Sequence, residues 1–128
     1  MELRDRVLAA TNDDQLPCAL GHKLALEWEV MPEELGTVAR ELGIRITRCQ
    51  MGLFGYGPKG TPGYRVVQAA DHIPEGLTVE VQAALVDGRL PCRTAWALAE
   101  CHSLTYRQMG DVVEALGLKV KPCRLGQF

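Results

Sequence analysis

The sequence predicts a mainly helical α+β protein built from two tandem three-helix units, the first of which ends in a small antiparallel β-hairpin. Three observations predict this fold class. Residues 2–54 match residues 76–128 without a gap, and seventeen of the 53 aligned pairs are identical. Within each match, apolar residues recur at helical spacing, and after a glycine the apolar period changes to that of a strand. We call residues 2–68 copy one and residues 76–128 copy two, with residues 69–75 as the linker.

The composition is that of an ordinary soluble globular protein. The chain has 128 residues, of which 47% are hydrophobic and 23% are charged, and five are cysteines. No apolar run approaches the roughly 20 residues of a membrane span, and the N-terminus lacks the apolar core of a signal peptide. We therefore expect a cytoplasmic protein with no membrane partner and with reduced thiols. A unit of this size buries only about 60% of its unfolded surface. The copies are expected to share an interface, either as a monomer with an internal pseudo-two-fold axis or within a homodimer.

Helices one and two of each copy are predicted from apolar spacing and from proline. Helix one is defined by the same three positions in both copies, which are Leu3, Val7 and Ala10 and their equivalents Leu77, Val81 and Ala84. Proline suits the first turn of a helix because its missing N–H needs no partner there. Pro17 and Pro91 should therefore begin helix two, and Pro32 should begin helix three of copy one. In copy two, Thr105 and Gln108 form a capping-box pattern at the start of helix three.

Helix three has the clearest pattern of the three. Apolar residues follow i, i+3, i+4, i+7 spacing in both copies, at Leu35, Val38, Ala39 and Leu42 and at Met109, Val112, Val113 and Leu116. Gly43 and Gly117 are predicted to end the helix. Gly36 and Gly110 lie inside it, where glycine costs up to ~1 kcal/mol relative to alanine. We expect a close crossing of helix two over helix three at these glycines.

A strand follows helix three in each copy. The apolar residues Ile44 and Ile46 alternate with polar ones, as do Leu118 and Val120 in copy two, which predicts a half-buried strand with a basic outer face. In copy one a loop rich in glycine and proline leads to a second strand candidate at 64–68. Strand, loop and strand predict a β-hairpin. Copy two ends at Phe128, where the loop of its hairpin would begin.

This order of elements, with short turns between the second and third helices at 29–31 and 103–105, resembles the helix-turn-helix or winged-helix superfamily. The resemblance covers residues 2–68 in full and residues 76–128 without the complete wing. It implies that the outward residues near the start of helix three reach base edges in the major groove of DNA. Tri-helical units of this kind also serve as protein-contact modules.

The residues that would read DNA differ between the copies. Copy one presents Glu33 and Glu34 at the start of helix three, and these carboxylates would repel phosphates. Copy two presents Tyr106, Arg107 and Gln108 at the equivalent positions, and these residue types bond to phosphate or to base edges. Copy two is therefore predicted to read DNA while copy one supports it.

Positive charge is gathered after helix three in both copies, although the net charge of the chain is −2. The residues concerned are Arg45, Arg48, Lys59, Arg65, Lys119 and Lys121. They are predicted to anchor the protein on a phosphate backbone, which makes binding sensitive to salt. The alternative interpretations are a solvated basic strand edge and, for the glycine-rich loop, a flexible connector between the copies.

Four of the five cysteines occupy matched positions in the repeat: Cys18, Cys49, Cys92 and Cys123. Cys18 and Cys92 fall in the first turn of helix two, where the helix dipole lowers the pKa of a thiol. Four such thiolates could hold zinc or an iron–sulfur cluster. Core packing is the favoured interpretation, because no C-x-x-C occurs and a free cysteine behaves as a small apolar residue. No cofactor is therefore expected.

The sequence thus predicts a small DNA-binding or transcription-regulating protein, with no pairing of a nucleophile and a base that would indicate an enzyme. A nearly equal alternative is an adaptor that binds a protein partner through the acidic helix three of copy one or through the apolar loop at 54–56. A cysteine-based metal or redox sensor is the third hypothesis.

Overall fold

The structure, a computed structural model, describes residues 2–126 and contains the same order of helices and strands twice. Copy one comprises α1 (Leu3–Ala10), β1 (Gln15–Pro17), α2 (Cys18–Glu27), α3 (Pro32–Glu41) and β2 (Arg45–Thr47). Copy two comprises α4 (Leu77–Ala84), β3 (Arg89–Leu90), α5 (Cys92–Cys101), α6 (Tyr106–Ala115) and β4 (Lys119–Val120). A 3₁₀ turn at Pro62–Tyr64 lies in the loop after β2. The prediction of a mainly helical α+β fold is confirmed. The predicted end of copy two, Gln127 and Phe128, lies outside the described residues.

The starts and ends of the third helices follow the predicted local chemistry. Pro32 is the first residue of α3. At the start of α6 the Thr105 hydroxyl accepts a hydrogen bond from the Gln108 N–H at 3.0 Å, and the Gln108 side chain accepts one from the Thr105 N–H at 2.8 Å. Both helices are followed by a glycine with positive φ, 75° at Gly43 and 67° at Gly117. These predictions are confirmed, because capping and glycine termination depend only on nearby residues. Within residues 2–126 no helix is both long and apolar enough to cross a membrane.

The strands pair differently from the prediction. Instead of an antiparallel hairpin, β2 pairs in parallel with β1, with Leu16 opposite Ile46. In copy two, β4 pairs in parallel with β3, with Leu90 opposite Val120. Parallel strands need a crossover connection, and two helices supply it in each copy. The short strands β1 and β3 were missed because their few residues show no alternation.

The strand predicted at 64–68 is not formed. This segment instead crosses α6 of copy two, and two of its backbone groups bond to side chains of that helix, while the Val66 N–H donates to the Gly52 carbonyl oxygen at 2.9 Å. The Gln68 N–H donates to the Asp111 carboxylate at 2.9 Å, and the Arg107 guanidinium donates to the Val66 carbonyl oxygen. Because these backbone groups have partners on a helix, they do not form a sheet ladder.

The two interior helical glycines mark the contact between the copies. A Cβ on Gly36 would lie 1.6 Å from the carbonyl oxygen of Leu125, and a Cβ on Gly110 would lie 1.8 Å from that of Met51. Met51 and Leu125 are equivalent in the repeat, and both are fully buried. The predicted crossing of helix two over helix three is therefore wrong as the reason for these glycines. Each copy places the backbone that follows its second strand against the third helix of the other copy.

The buried apolar residues form one continuous core to which both copies contribute. Leu125 of copy two also packs against copy one at Gly21, where an added Cβ would lie 3.1 Å from its side chain. On the surface of the same contact, the Arg40 guanidinium donates to the Gly126 carbonyl oxygen at 3.0 Å. The expected shared interface is therefore present in the described chain.

Candidate nucleic-acid interface

The first helical residue of α6, Tyr106, is held against copy two itself. Its ring stacks on Trp96 of α5, with ring centroids 4.2 Å apart and planes 10° from parallel. Its hydroxyl donates to the Glu100 carboxylate at 2.7 Å, and this hydrogen bond raises the pKa of Tyr106. One ring face and the hydroxyl proton of Tyr106 are thus engaged within the protein.

The next two residues of α6 are engaged in the same way. The Arg107 guanidinium bonds to the Asp111 carboxylate, one helical turn away, and to the Val66 carbonyl oxygen of the segment that crosses the helix. The Gln108 side chain belongs to the capping box with Thr105. All three residues predicted to read bases therefore have intramolecular partners. Arg107 in particular fixes the chain that leads from copy one to copy two.

A first cleft gathers basic residues of copy one. It encloses about 580 Å³ between β2 and the loop that follows it, and its lining includes Arg45, Arg48 and Lys59. The Arg48 guanidinium carbon lies 5.9 Å from the centre of the Tyr56 ring, a cation–π distance. Among the described residues, the lining of this cleft contains no carboxylate to neutralise the cations.

A second cleft, of about 460 Å³, lies between the copies and adjoins the first, since Lys59 and Tyr64 line both. Its other basic residues are Arg65, Lys119 and Lys121. Arg65 forms an ion pair with Glu114 at 3.1 Å. The structure thus brings together six of the nine predicted DNA-binding residues, and we call this set the basic surface: Arg45, Arg48, Lys59, Arg65, Lys119 and Lys121.

The basic surface and the start of α6 are the two regions where the sequence predicted contact with DNA. Comparison with protein-family models, curated proteins and solved structures finds no match. Function is therefore inferred from the residues and their geometry.

The loop at 54–56, the predicted apolar contact for a protein partner, is folded into the molecule. Phe54 is only 7% exposed. The Tyr56 hydroxyl donates to the Cys49 carbonyl oxygen at 2.6 Å. Burial of the ring raises the pKa of Tyr56. This loop therefore forms part of the lining of both clefts.

The four repeat-matched cysteines are free thiols, as is the exposed Cys101. Cys18, Cys49 and Cys92 are buried, and Cys123 is half-buried. Burial raises the pKa of Cys18 and of Cys92 to about 12, and it also raises the pKa of Cys49. The prediction that the helix dipole lowers the pKa of Cys18 and Cys92 is wrong, because the loss of hydration outweighs the dipole. In the part of the chain that is described, no three His, Cys, Asp or Glu side chains are arranged to hold one metal ion.

A tilted aromatic contact across the pseudo-two-fold axis was not predicted. The ring of His22 in α2 lies 4.6 Å from that of Trp96 in α5, and the Arg124 guanidinium carbon lies 5.0 Å from the Trp96 ring. Burial, together with the charge of Arg124, lowers the pKa of His22 to about 4. His22 is therefore neutral at physiological pH. One clue was present in the sequence, since His22 and Trp96 are equivalent in the repeat, and equivalent residues meet at a two-fold axis.

Proposed function

We propose that this protein binds duplex DNA through the basic surface, as a small DNA-binding or regulatory protein. One observation carries the proposal. Six basic side chains that are scattered along the sequence, from Arg45 to Lys121, line two adjoining clefts. Among the described residues, only Arg65 of the six has a carboxylate partner, Glu114. Coulomb repulsion disfavours such a grouping unless an anion offsets it, so a polyanion is the ligand that it suits best.

Phosphates are the anions that this surface fits. Exposed arginine and lysine side chains neutralise successive backbone phosphates and release counterions, which provides affinity without any reading of sequence. Arg45 and Lys59 are both exposed and belong to opposite sides of the first cleft, β2 and the loop. Lys119 and Lys121 extend the same surface into copy two.

In this proposal the basic surface carries the contact with DNA, and the residues at the start of α6 have a different task. Tyr106, Arg107 and Gln108 hold α5, the incoming chain and the helix cap in place. Tyr106 and Gln108 thereby order copy two itself, and Arg107 ties it to copy one at Val66. Binding is thus predicted to depend on backbone contacts more than on bases.

The test is the salt dependence of binding to a random-sequence duplex, measured by fluorescence anisotropy. The double variant R45Q/K59Q removes two cations from the first cleft. We expect the slope of log affinity against log salt to fall by roughly 1.8, about 0.9 for each lost phosphate contact. R4Q/K23Q removes two exposed cations from α1 and α2, outside both clefts, and should leave the slope unchanged.

Two outcomes would contradict the proposal. The first is that the folded protein shows no binding even at low ionic strength. The second is that both double variants lower the slope equally, since this would reflect net charge and not the basic surface.

The adaptor function is the second candidate, and one observation favours it. Leu26 is 81% exposed and Met31 is 56% exposed. Leu26 lies near the end of α2 and Met31 directly before α3, and the exposed Glu27, Glu29 and Glu33 lie in the same stretch of chain. Apolar residues surrounded by carboxylates suit a basic amphipathic peptide. The L26S/M31S variant should bind DNA with the affinity of the wild type, which would show that this surface is separate from the basic surface.

A further inference from the structure

The fold brings the repeat-matched cysteines together in pairs. In copy one the parallel pairing of β1 with β2 ends at Pro17 opposite Thr47, close to Cys18 and Cys49. The Gln50 side chain, next to Cys49, reaches the Cys18 sulfur at 3.9 Å. In copy two the Cys92 N–H donates at 3.0 Å to the carbonyl oxygen of Pro122, the residue before Cys123. Each copy thus contributes one pair of thiols at the same place in its fold.

The two pairs meet at the contact between the copies. Cys49 of copy one and both Cys92 and Cys123 of copy two line the second cleft. Cys18, the fourth, lies beside Cys49 at the end of the β1–β2 pairing. Three of the four thiols therefore line one cleft between the copies, and the fourth is next to one of them.

A hydrogen-bond donor is directed at these sulfurs, the side-chain amide of Gln50 beside Cys18. A donor of this kind stabilises a thiolate.

The surroundings also suit a ligand with negative charge. The second cleft, with a volume of about 460 Å³, carries Lys119 and Lys121 beside the three cysteines, together with Arg65, which pairs with Glu114. Four thiolates carry four negative charges, which a bound iron–sulfur core neutralises only in part. Positive side chains and hydrogen-bond donors to sulfur, such as the Gln50 amide, are features by which a protein stabilises and tunes such a centre.

We propose that Cys18, Cys49, Cys92 and Cys123 ligate an iron–sulfur cluster held between the two copies. Zinc requires four ligands about 2.3 Å from one point. Within residues 2–126 no three His, Cys, Asp or Glu side chains converge in that way. In a [4Fe–4S] cluster each cysteine binds a different iron atom of the core, which matches thiols spread around a cleft. On ligation each thiol loses its proton to solvent and forms one sulfur–iron bond, so the cluster replaces protons that burial otherwise retains. This site does not depend on the proposed binding of DNA.

The experiment is anaerobic reconstitution of the full-length protein with iron and sulfide, followed by removal of unbound reagents. Bound iron, bound inorganic sulfide and visible charge-transfer absorption are then measured. The wild-type protein should retain iron and sulfide in equal amounts and acquire the absorption. C49S and C123S should each retain at least about ten-fold less iron and sulfide than the wild type. C101S, which alters the exposed cysteine outside the set, should match the wild type.

Circular dichroism of each protein before reconstitution shows whether it is folded. Because Cys123 is only half-buried, C123S should stay folded even if substitution of the buried Cys49 unfolds the protein. The proposal is overturned if folded wild-type protein retains no iron, if it retains iron without sulfide, or if it takes up one equivalent of zinc and forms no cluster. Equal losses in C101S and C123S would also overturn it.

Discussion

Gly36 and Gly110 each allow the backbone of the other copy to approach a helix closely, and the contact between the copies depends on them. Both lie in helices, where alanine normally stabilises by up to ~1 kcal/mol relative to glycine. Here the space for a Cβ is taken by the carbonyl groups of Leu125 and Met51, and backbone cannot rotate away as a side chain can. The glycines are therefore a requirement of the contact between the copies, although they weaken the helices that contain them.

We predict that G110A and G36A each lower the free energy of unfolding by about 1–3 kcal/mol, the usual cost of overpacking. Urea denaturation followed by circular dichroism measures the change. G63A is the matched control, because a Cβ at Gly63 meets nothing within 4 Å and φ is not positive there. Its effect should stay within about 0.5 kcal/mol. Equal effects of G63A and G110A would refute the role of the carbonyl contacts.

The roles of single residues were predicted unevenly from the sequence. The position of a helix-ending glycine such as Gly43 follows from its neighbours along the chain and was predicted correctly. The pKa of Cys18 was not, since it depends on how deeply the fold buries the thiol. Arg107 was predicted to face DNA, yet its guanidinium bonds to Val66, which is distant in the sequence.

The two third helices, α3 and α6, differ in how their N-termini are capped. α6 begins with a complete capping box, whereas α3 begins after Met31, whose side chain forms no cap. Glu34 already occupies the position in α3 that Gln108 occupies in α6. Only the N-cap residue therefore separates α3 from a capping box of its own.

We predict that T105A lowers the free energy of unfolding by about 1 kcal/mol and that M31T raises it by a similar amount. The gain is expected because Met31 is 56% exposed and its removal sacrifices little buried apolar surface. Thermal or urea denaturation gives both values. T37A is the control, since Thr37 lies inside α3 and its hydroxyl bonds only to the exposed backbone one turn earlier. A loss in T37A as large as that in T105A would argue against the capping role.

The predicted hairpin is absent because the pairing of strands is not a local property of the sequence. Alternating residues at Ile44 and Ile46 correctly predicted β2, because period-two burial is a local property. The partner predicted for β2 was the segment 64–68, because it follows closely in the sequence, after the loop. In the structure β2 instead pairs with β1, which precedes two helices. Which strand pairs with which depends on the path of the chain through space.

The two copies make one folding unit, because each completes the core of the other. Leu125 is fully buried against copy one, and Met51 occupies the equivalent place on the side of copy two. Removal of copy two would uncover the site of Leu125 beside Gly21 and Gly36, and removal of copy one would uncover the site of Met51 beside Gly110. The loss of a buried leucine alone typically costs 2–5 kcal/mol, which is comparable to the whole stability of a small domain.

We predict that residues 2–68 and residues 76–128, produced separately, are each largely unfolded, while the full chain unfolds in one transition. Circular dichroism and one-dimensional NMR of the fragments measure this. Equimolar mixing should restore helical signal, since the contact needs no covalent link. An isolated copy with a sharp, cooperative thermal transition would show that the interface is not required for folding.

Local chemistry along the chain was sufficient to predict the duplication, the helices and their ends, and the strands that follow the third helices. These features arise from residues within a few positions of one another, so periodicity, proline, glycine and capping reveal them. The parallel pairing, the adjoining basic clefts and the meeting of cysteines from both copies at one cleft required the folded chain. Each of them joins residues that are tens of positions apart, and such contacts are fixed by packing of the common core, which no local pattern records.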